Sequence, residues 1–164
     1  MGKTLIIIAA ILGLASIFLG LILPSIFPWF RIEEVLGGTM VLDLYLNGIG
    51  MVEGYDIDIF VLSGGICVIL GAILGIAGGA KESKGVGILG GVLMLVGPVL
   101  LIFYLFIDAE SFRTILHGLG VSSGANLFWG TVTIGGSTIT WGVWIGWFLG
   151  IGAGALGIIG GATV

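Results

Sequence analysis

Residues 141–164 read WGVWIGWFLGIGAGALGIIGGATV, a run of 24 residues without a charge, with glycine at 142, 146, 150 and 154 and again at 157 and 161. A bilayer core about 30 Å thick takes about 20 helical residues at 1.5 Å each, so the run is long enough to cross it. Toward the N-terminus, three more uncharged stretches have the same order of length: 85–107, 59–80 and 4–23. Of the 164 residues, 58% are hydrophobic and 9% charged, with a mean hydropathy of +1.30. Soluble domains carry about 25% charge, so a soluble globular class is excluded. Lys3 and the apolar run behind it resemble a secretory leader, but Pro24-Ser25-Ile26-Phe27-Pro28-Trp29 holds no small-x-small cleavage site, and the run counts as a span.

The expectation is therefore a membrane all-α four-helix bundle, a single tetraspan domain over 1–164. Its spans lie at about 4–23, 59–80, 85–107 and 141–164, and two longer loops cover 24–58 and 108–140. Lys3, Lys81 and Lys84 fall on one side and Arg31 and Arg113 on the other. Basic residues in short flanks mark the cytoplasmic side, which puts both termini and the Lys81–Lys84 turn in the cytoplasm and both longer loops outside.

The outer loops carry strand patterns. Val41-Leu42-Asp43-Leu44-Tyr45-Leu46 and Tyr55-Asp56-Ile57-Asp58-Ile59 alternate polar and apolar residues at a period of two. Thr131-Val132-Thr133-Ile134 and Ser137-Thr138-Ile139-Thr140 flank Gly135-Gly136, which supplies the positive φ of a two-residue primed turn. Phe112, Ile115, Leu116 and Leu119 recur at helical spacing and predict a short outer helix over 109–119, lying on the membrane. Strands from both loops would form a small extracellular antiparallel β-sheet above the bundle.

In this arrangement the chain resembles the claudin-like and tetraspanin-like four-span membrane proteins, and small prokaryotic tetraspans with a Pro-Trp after the first span. Pro28-Trp29-Phe30-Arg31 is similar to the Pro/Trp/Arg opening of the claudin first outer loop. The Gly-Leu-Trp signature and paired loop cysteines of claudins are absent, as is the Cys-Cys-Gly of tetraspanins. What the resemblance implies is an architecture, with function to be argued from sites.

Glycine is placed in stripes. Gly142, Gly146, Gly150 and Gly154 repeat every four residues, as do Gly71, Gly75 and Gly79 in the second span. Residues four apart share a helical face, so each set is a smooth seam against which another backbone can pack, in the same protomer or in a neighbouring one. All seventeen aromatics lie outside the spans or in their outer halves. Trp29, Trp141, Trp144 and Trp147 are the expected interface anchors. Bulky side chains outside and glycine inside imply a protomer broader at its outer end, which would favour a membrane convex toward the outside.

Several chemistries have no foothold. Single Cys67 excludes a disulfide framework or a CxxC pair, and five basic residues are too few for a nucleic-acid partner. No span holds a carboxylate, His, Lys or Arg, which argues against proton relays and most coupled transport. His117, Glu110 and Ser111 are near in sequence without the spacing of a catalytic constellation. Glu53, Asp56 and Asp58 lack a calcium-loop pattern around them, and no Gly-Lys-Ser/Thr follows the glycines. No enzyme activity, metal, cofactor or small-molecule substrate is inferred.

The expected function is a structural integral membrane protein that self-associates laterally and shapes the membrane into a tubule, vesicle or array. Its partners are membrane lipids and other copies of itself. The seam glycines would pack the helices, and Thr131, Thr133, Gly135, Gly136, Thr138 and Thr140 would make the outer contacts. The alternative is a small cation channel, or an accessory subunit of one, with the acidic outer loops concentrating cations. A multi-pass cell-membrane protein of a prokaryote fits both readings.

Overall fold

Helices that are apolar all round bury themselves in a core or in lipid, and four such helices dominate the chain. In the computed structural model they are α1 (Gly2–Ile22), α2 (Ile59–Ala80), α3 (Lys84–Ile107) and α5 (Ile145–Ala162). Each is long and apolar enough to cross a membrane. A shorter helix, α4 (Glu110–Gly118), and four strands complete the fold: β1 (Phe30–Leu36), β2 (Thr39–Leu46), β3 (Trp129–Ile134) and β4 (Ser137–Val143). The structure describes residues 1–50, 59–107 and 110–164, the side chain of Ser111 excepted. Glu53, Asp56 and Asp58 lie outside the described residues, as does the strand expected over 55–59 apart from Ile59, which opens α2.

The long helices form a ring in which α1 touches α2 and α5, α3 touches α2 and α5, and the diagonal pairs barely meet. Lys3 Nζ lies 3.5 Å from Glu82 Oε1 in the α2–α3 turn, and the Gly2 backbone packs on Thr163 and Val164. Both termini and the α2–α3 turn thus gather at one end of the bundle. The sheet crowns the other.

That sheet is open, antiparallel throughout, and ordered β2-β1-β4-β3. Strands from both connections take part. Each hairpin closes through a Gly-Gly pair with positive φ: Gly37 and Gly38 at 57° and 84°, Gly135 and Gly136 at 61° and 89°. Two successive left-handed residues match the strand twist in a two-residue turn, and glycine adopts them without Cβ strain. The hairpin around Gly135-Gly136 is where the sequence placed it. The strand pattern before Gly37-Gly38 was not foreseen, and β1 pairs with both β2 and β4 at the centre of the sheet.

Alternate residues on one side of the sheet form its core face. Phe30, Ile32, Leu46, Ile139, Trp141 and Val143 are all buried. Beneath them lies α4, whose Phe112 ring sits 4.9 Å from Phe30 and 6.1 Å from Tyr104 of α3. Phe112 and Leu116 are buried against the chain itself, so the apolar side of α4 is already covered and is not laid on a lipid surface as expected.

One boundary moves. The fourth span begins at Ile145, not at Trp141, because Ser137–Val143 is a strand that leads into α5 through Trp144 alone. Gly142 consequently belongs to the sheet. It pairs with Arg31 and Trp129 and has a φ of 149°.

Candidate functional site

The open face of the sheet carries a joined polar and aromatic grouping. Strand pairing arranges it in rows. At the bundle end, Tyr45, Arg31, Gly142 and Trp129 lie side by side across the four strands. In the next row of the same face stand Asp43, Glu33, Thr140 and Thr131.

Arg31 organises the middle of this face. Its Nε donates to Asp43 Oδ1 at 2.8 Å and its Nη2 to Asp43 Oδ2 at 3.0 Å, the fork-on-fork geometry of the strongest ion pairs. Nη1 lies 3.3 Å from Glu33 Oε2, and the guanidinium stands 5.3 Å from the centroid of the Trp144 ring. The side chain is only 12% exposed. Its hydrogen bond to Asp43 holds the Arg31 pKa above the ordinary arginine value, with attraction to Asp43 and Glu33 acting in the same sense and burial opposing. One cation against two carboxylates leaves the cluster at about −1.

Trp129 stacks on Trp144 with ring centroids 5.6 Å apart and planes 9° from parallel. Gly142 makes this possible, since a Cβ there would lie 2.9–3.0 Å from Trp129 atoms and 2.7 Å from the Phe128 carbonyl. On the core face the relation is mirrored: Gly130 has no room for a Cβ beneath the Trp141 ring. Trp–Gly pairs thus cross β3 and β4 on both faces, each indole covering the backbone that its glycine leaves bare. Beyond them, Thr131 and Thr140 hydroxyls meet at 3.1 Å and those of Thr133 and Thr138 at 3.3 Å.

The seam glycines face the chain's own helices. A Cβ on Gly71 would lie 2.6 Å from the Gly90 carbonyl of α3, and one on Gly75 would sit 3.5 Å from Ala10 of α1. For Gly79 the nearest atom is Ile7 Cγ1 at 3.1 Å. In α5, Gly146 packs on the Phe27 and Pro28 carbonyls, Gly150 on Pro98, and Gly154 on Leu95. The glycine stripe of the fourth span is therefore consumed inside one protomer and is not open to a neighbouring copy, and its first expected member, Gly142, serves the Trp129 stack instead.

Of the four expected anchors, two are enclosed. Trp29 is fully buried, its indole donating to the Ser16 carbonyl at 3.1 Å and its ring filling the space over Gly48. Trp141 is 5% exposed and donates to the Asn126 carbonyl at 2.8 Å. Trp147 is half-buried and donates to the carbonyl of Pro98, within α3, at 2.8 Å. Trp144 is half-buried in the stack. The exposed tryptophan is Trp129, at 50%, which the sequence did not single out; its position opposite Gly142 in a Trp-Gly/Trp-Gly register was the available signal.

The remaining candidates lie apart. Ser16 is buried and donates back to the Gly13 carbonyl at 2.8 Å, and Ser63 donates to Ile59 at 2.7 Å. Cys67 is a free, half-buried thiol. His117 lines an open groove with Glu110, Arg113, Thr114 and Ser123. Set against known protein families, curated proteins and solved structures, the chain finds no match.

Proposed function

We propose that this chain is a structural membrane protein that associates laterally with its own copies and shapes the bilayer around it. The observation that carries the reading is the uneven placement of small and bulky side chains along the protomer, from which a taper is inferred. In the half where the termini meet, helices approach backbone to backbone at Gly78 against Gly87, Gly91 against Gly157 and Gly160 against Gly2, and α2 and α3 stay as close further along at Gly71 against Gly90 and Gly64 against Gly97. At the sheet end the space between elements is filled by Trp29, Phe30, Tyr104, Phe112 and Trp141. Contact between α-carbons gives the smallest interaxial distance, and aromatic filling a larger one. With the lysine-bearing end in the cytoplasm and the sheet outside, a row of such wedges bends the membrane convex outward.

Because the seam glycines are occupied, lateral contact falls to surfaces the protomer leaves uncovered. One is β3, an edge strand with no charge, no proline and no bulge, whereas the opposite edge, β2, pairs through a register shift and carries Asp43. Charges and bulges are the usual protections of an edge, and β3 has neither. Ile134 and Ser137 flank a two-residue turn and exchange hydrogen bonds, so Thr133 directs its N–H away from β4. Thr133→Pro removes that outward donor and spares the ladder.

Reconstitution of the pure protein into liposomes, imaged by electron cryo-microscopy, tests the reading. Clustered protein on tubules or small vesicles is expected, with Thr133→Pro returning dispersed protomers. Flat bilayers carrying dispersed wild-type protein would overturn it.

A further inference from the structure

We propose that the open face of the sheet, from Trp129 across to Asp43, holds the neutral sugar headgroup of a glycolipid in the same membrane. This rests on the multi-pass placement of the chain and is independent of self-association. Three observations converge on it.

The first is a platform. Sugars present a C–H face that lies flat on an indole, and Trp129 offers a half-exposed one whose angle is fixed by Trp144 behind it and by the missing Cβ of Gly142. Fixing the ring in advance lowers the entropy that binding must remove.

The second is the row beside the platform. Thr131, Thr140, Glu33 and Asp43 follow one another across four strands, three steps of about 4.8 Å or about 14 Å in all, which is the length of two to three sugar rings. Sugar hydroxyls both donate and accept. The Thr131–Thr140 pair uses one of its two hydroxyl hydrogens internally and keeps the other to donate. Each Asp43 oxygen takes one hydrogen from Arg31 and keeps a lone pair to accept, and both carboxylates are 22% exposed and within reach.

The third is charge. Arg31 is matched by two carboxylates, and from residue 118 to 164 the sequence has no charged side chain. A phosphate headgroup finds no unmatched cation on this face and meets a net negative cluster. A neutral polyol fits both. The source is placed by continuity: Trp144 is the residue before α5, and the first turn of that helix exposes Ile145 and Phe148, so a headgroup on Trp129 has its acyl chains beside apolar helix.

The experiment uses the full chain in nanodiscs of phosphatidylcholine, phosphatidylglycerol and diglucosyl-diacylglycerol in equal parts, followed by native mass spectrometry of the lipids retained on release. Retention of the glucolipid is expected at about ten times that of either phospholipid, corresponding to one good ring stack with its hydrogen bonds. Trp129→Ala should abolish the preference. Thr131→Val, which keeps the strand's shape, should reduce it about threefold by removing one hydrogen bond, and the same variant guards against a misfolded Trp129→Ala. Equal retention of the three lipids, a preference for phosphatidylglycerol, or a Trp129→Ala protein that loses all three alike would overturn the proposal, the last by reducing Trp129 to an unselective anchor.

Discussion

Gly71 and Gly75 belong to one stripe on one helix, yet the packing around them demands opposite responses to the same added methyl group. At Gly71 the new Cβ would stand 2.6 Å from the Gly90 carbonyl oxygen, 2.7 Å from the Met94 nitrogen and 2.8 Å from Met94 Cγ. Two of these are backbone atoms of α3 and cannot swing aside. Restoring a 3.4 Å contact from 2.6 Å requires α2 and α3 to part locally by 3.4 − 2.6, about 0.8 Å. Overpacking of this kind destabilises by about 1–3 kcal/mol. Replacing glycine by alanine in a helix returns up to about 1 kcal/mol, so Gly71→Ala should be net destabilising by up to about 2 kcal/mol. At Gly75 the nearest atom is Ala10 Cβ at 3.5 Å, ordinary contact, and Gly75→Ala should be neutral or stabilising by up to about 1 kcal/mol. Thermal unfolding of the two variants in one detergent, followed by tryptophan fluorescence, reads the difference directly. Equal shifts of the same sign would refute the seam described here. So would a Gly75→Ala protein whose oligomeric state changes while its stability does not, since that stripe would then face another protomer.

Trp29→Phe deletes a buried donor to the Ser16 carbonyl and leaves part of an indole-shaped space, and should lower unfolding stability by about 2 kcal/mol in denaturant titration. Arg31→Met strands Asp43 and Glu33 beside the Trp144 ring, and should destabilise by about 2 kcal/mol, less than a fully buried pair because both carboxylates retain some solvent. The Arg31 pKa is raised by folding, so its contribution is complete below the unfolded arginine value and fades only as pH rises through the higher folded one. Wild-type minus Arg31→Met stability should therefore stay level from about pH 6 to 9 as far as Arg31 itself is concerned, checked by melting curves across that range. Gly146→Ala drives a methyl group into the Pro28 carbonyl, which accepts the Gly146 N–H at 3.0 Å, and should loosen the sheet from the bundle, seen as faster amide exchange in β1 and β4 before the helices open.

What was legible in the sequence followed from length and period. Four uncharged runs of span length give four long helices, and Gly135-Gly136 between β-branched runs gives β3 and β4. The start of α5 was not legible, because an apolar strand buried on its core face runs into an apolar helix through Trp144 with no polar residue to mark the join. β1 could have been read: Phe30-Arg31-Ile32-Glu33 alternates and is followed by Gly37-Gly38, the same turn signal as in the second hairpin. The direction in which a glycine stripe faces has no trace in its spacing. A four-residue period says that a face is smooth, and only tertiary packing says that α1 and α3 occupy it. Tryptophans are equally silent, since a ring at a span's end serves an interface or a core with the same composition around it. The open-face row was hidden for a related reason: Asp43, Glu33, Thr140 and Thr131 are brought together by register across strands that lie nearly a hundred residues apart.

The two ends of the protomer are also tied to one another by the backbone. The first N–H groups of a helix have no partner within it. In α5 the Gly146 N–H donates to the Pro28 carbonyl, while the Trp144 N–H donates to the Trp29 carbonyl and the Trp29 N–H to Leu46. One first-turn donor of α5, the Gly146 N–H, and that of the preceding Trp144 are thus satisfied by the segment that opens β1, which makes the strand ladder continuous with the helix. Trp29 is in turn anchored to α1 through Ser16, and Trp147 to α3 through Pro98. Helices α1, α3 and α5 therefore hydrogen-bond into the base of the sheet or into the ring of tryptophans beneath it. A change in how closely the glycine seams allow the helices to approach at the far end must shift α5 relative to α1 and α3, and these bonds transmit that shift to β1 and β4. If the proposed wedge is the working shape of the molecule, its angle is set by glycine at one end and reported by the sheet at the other.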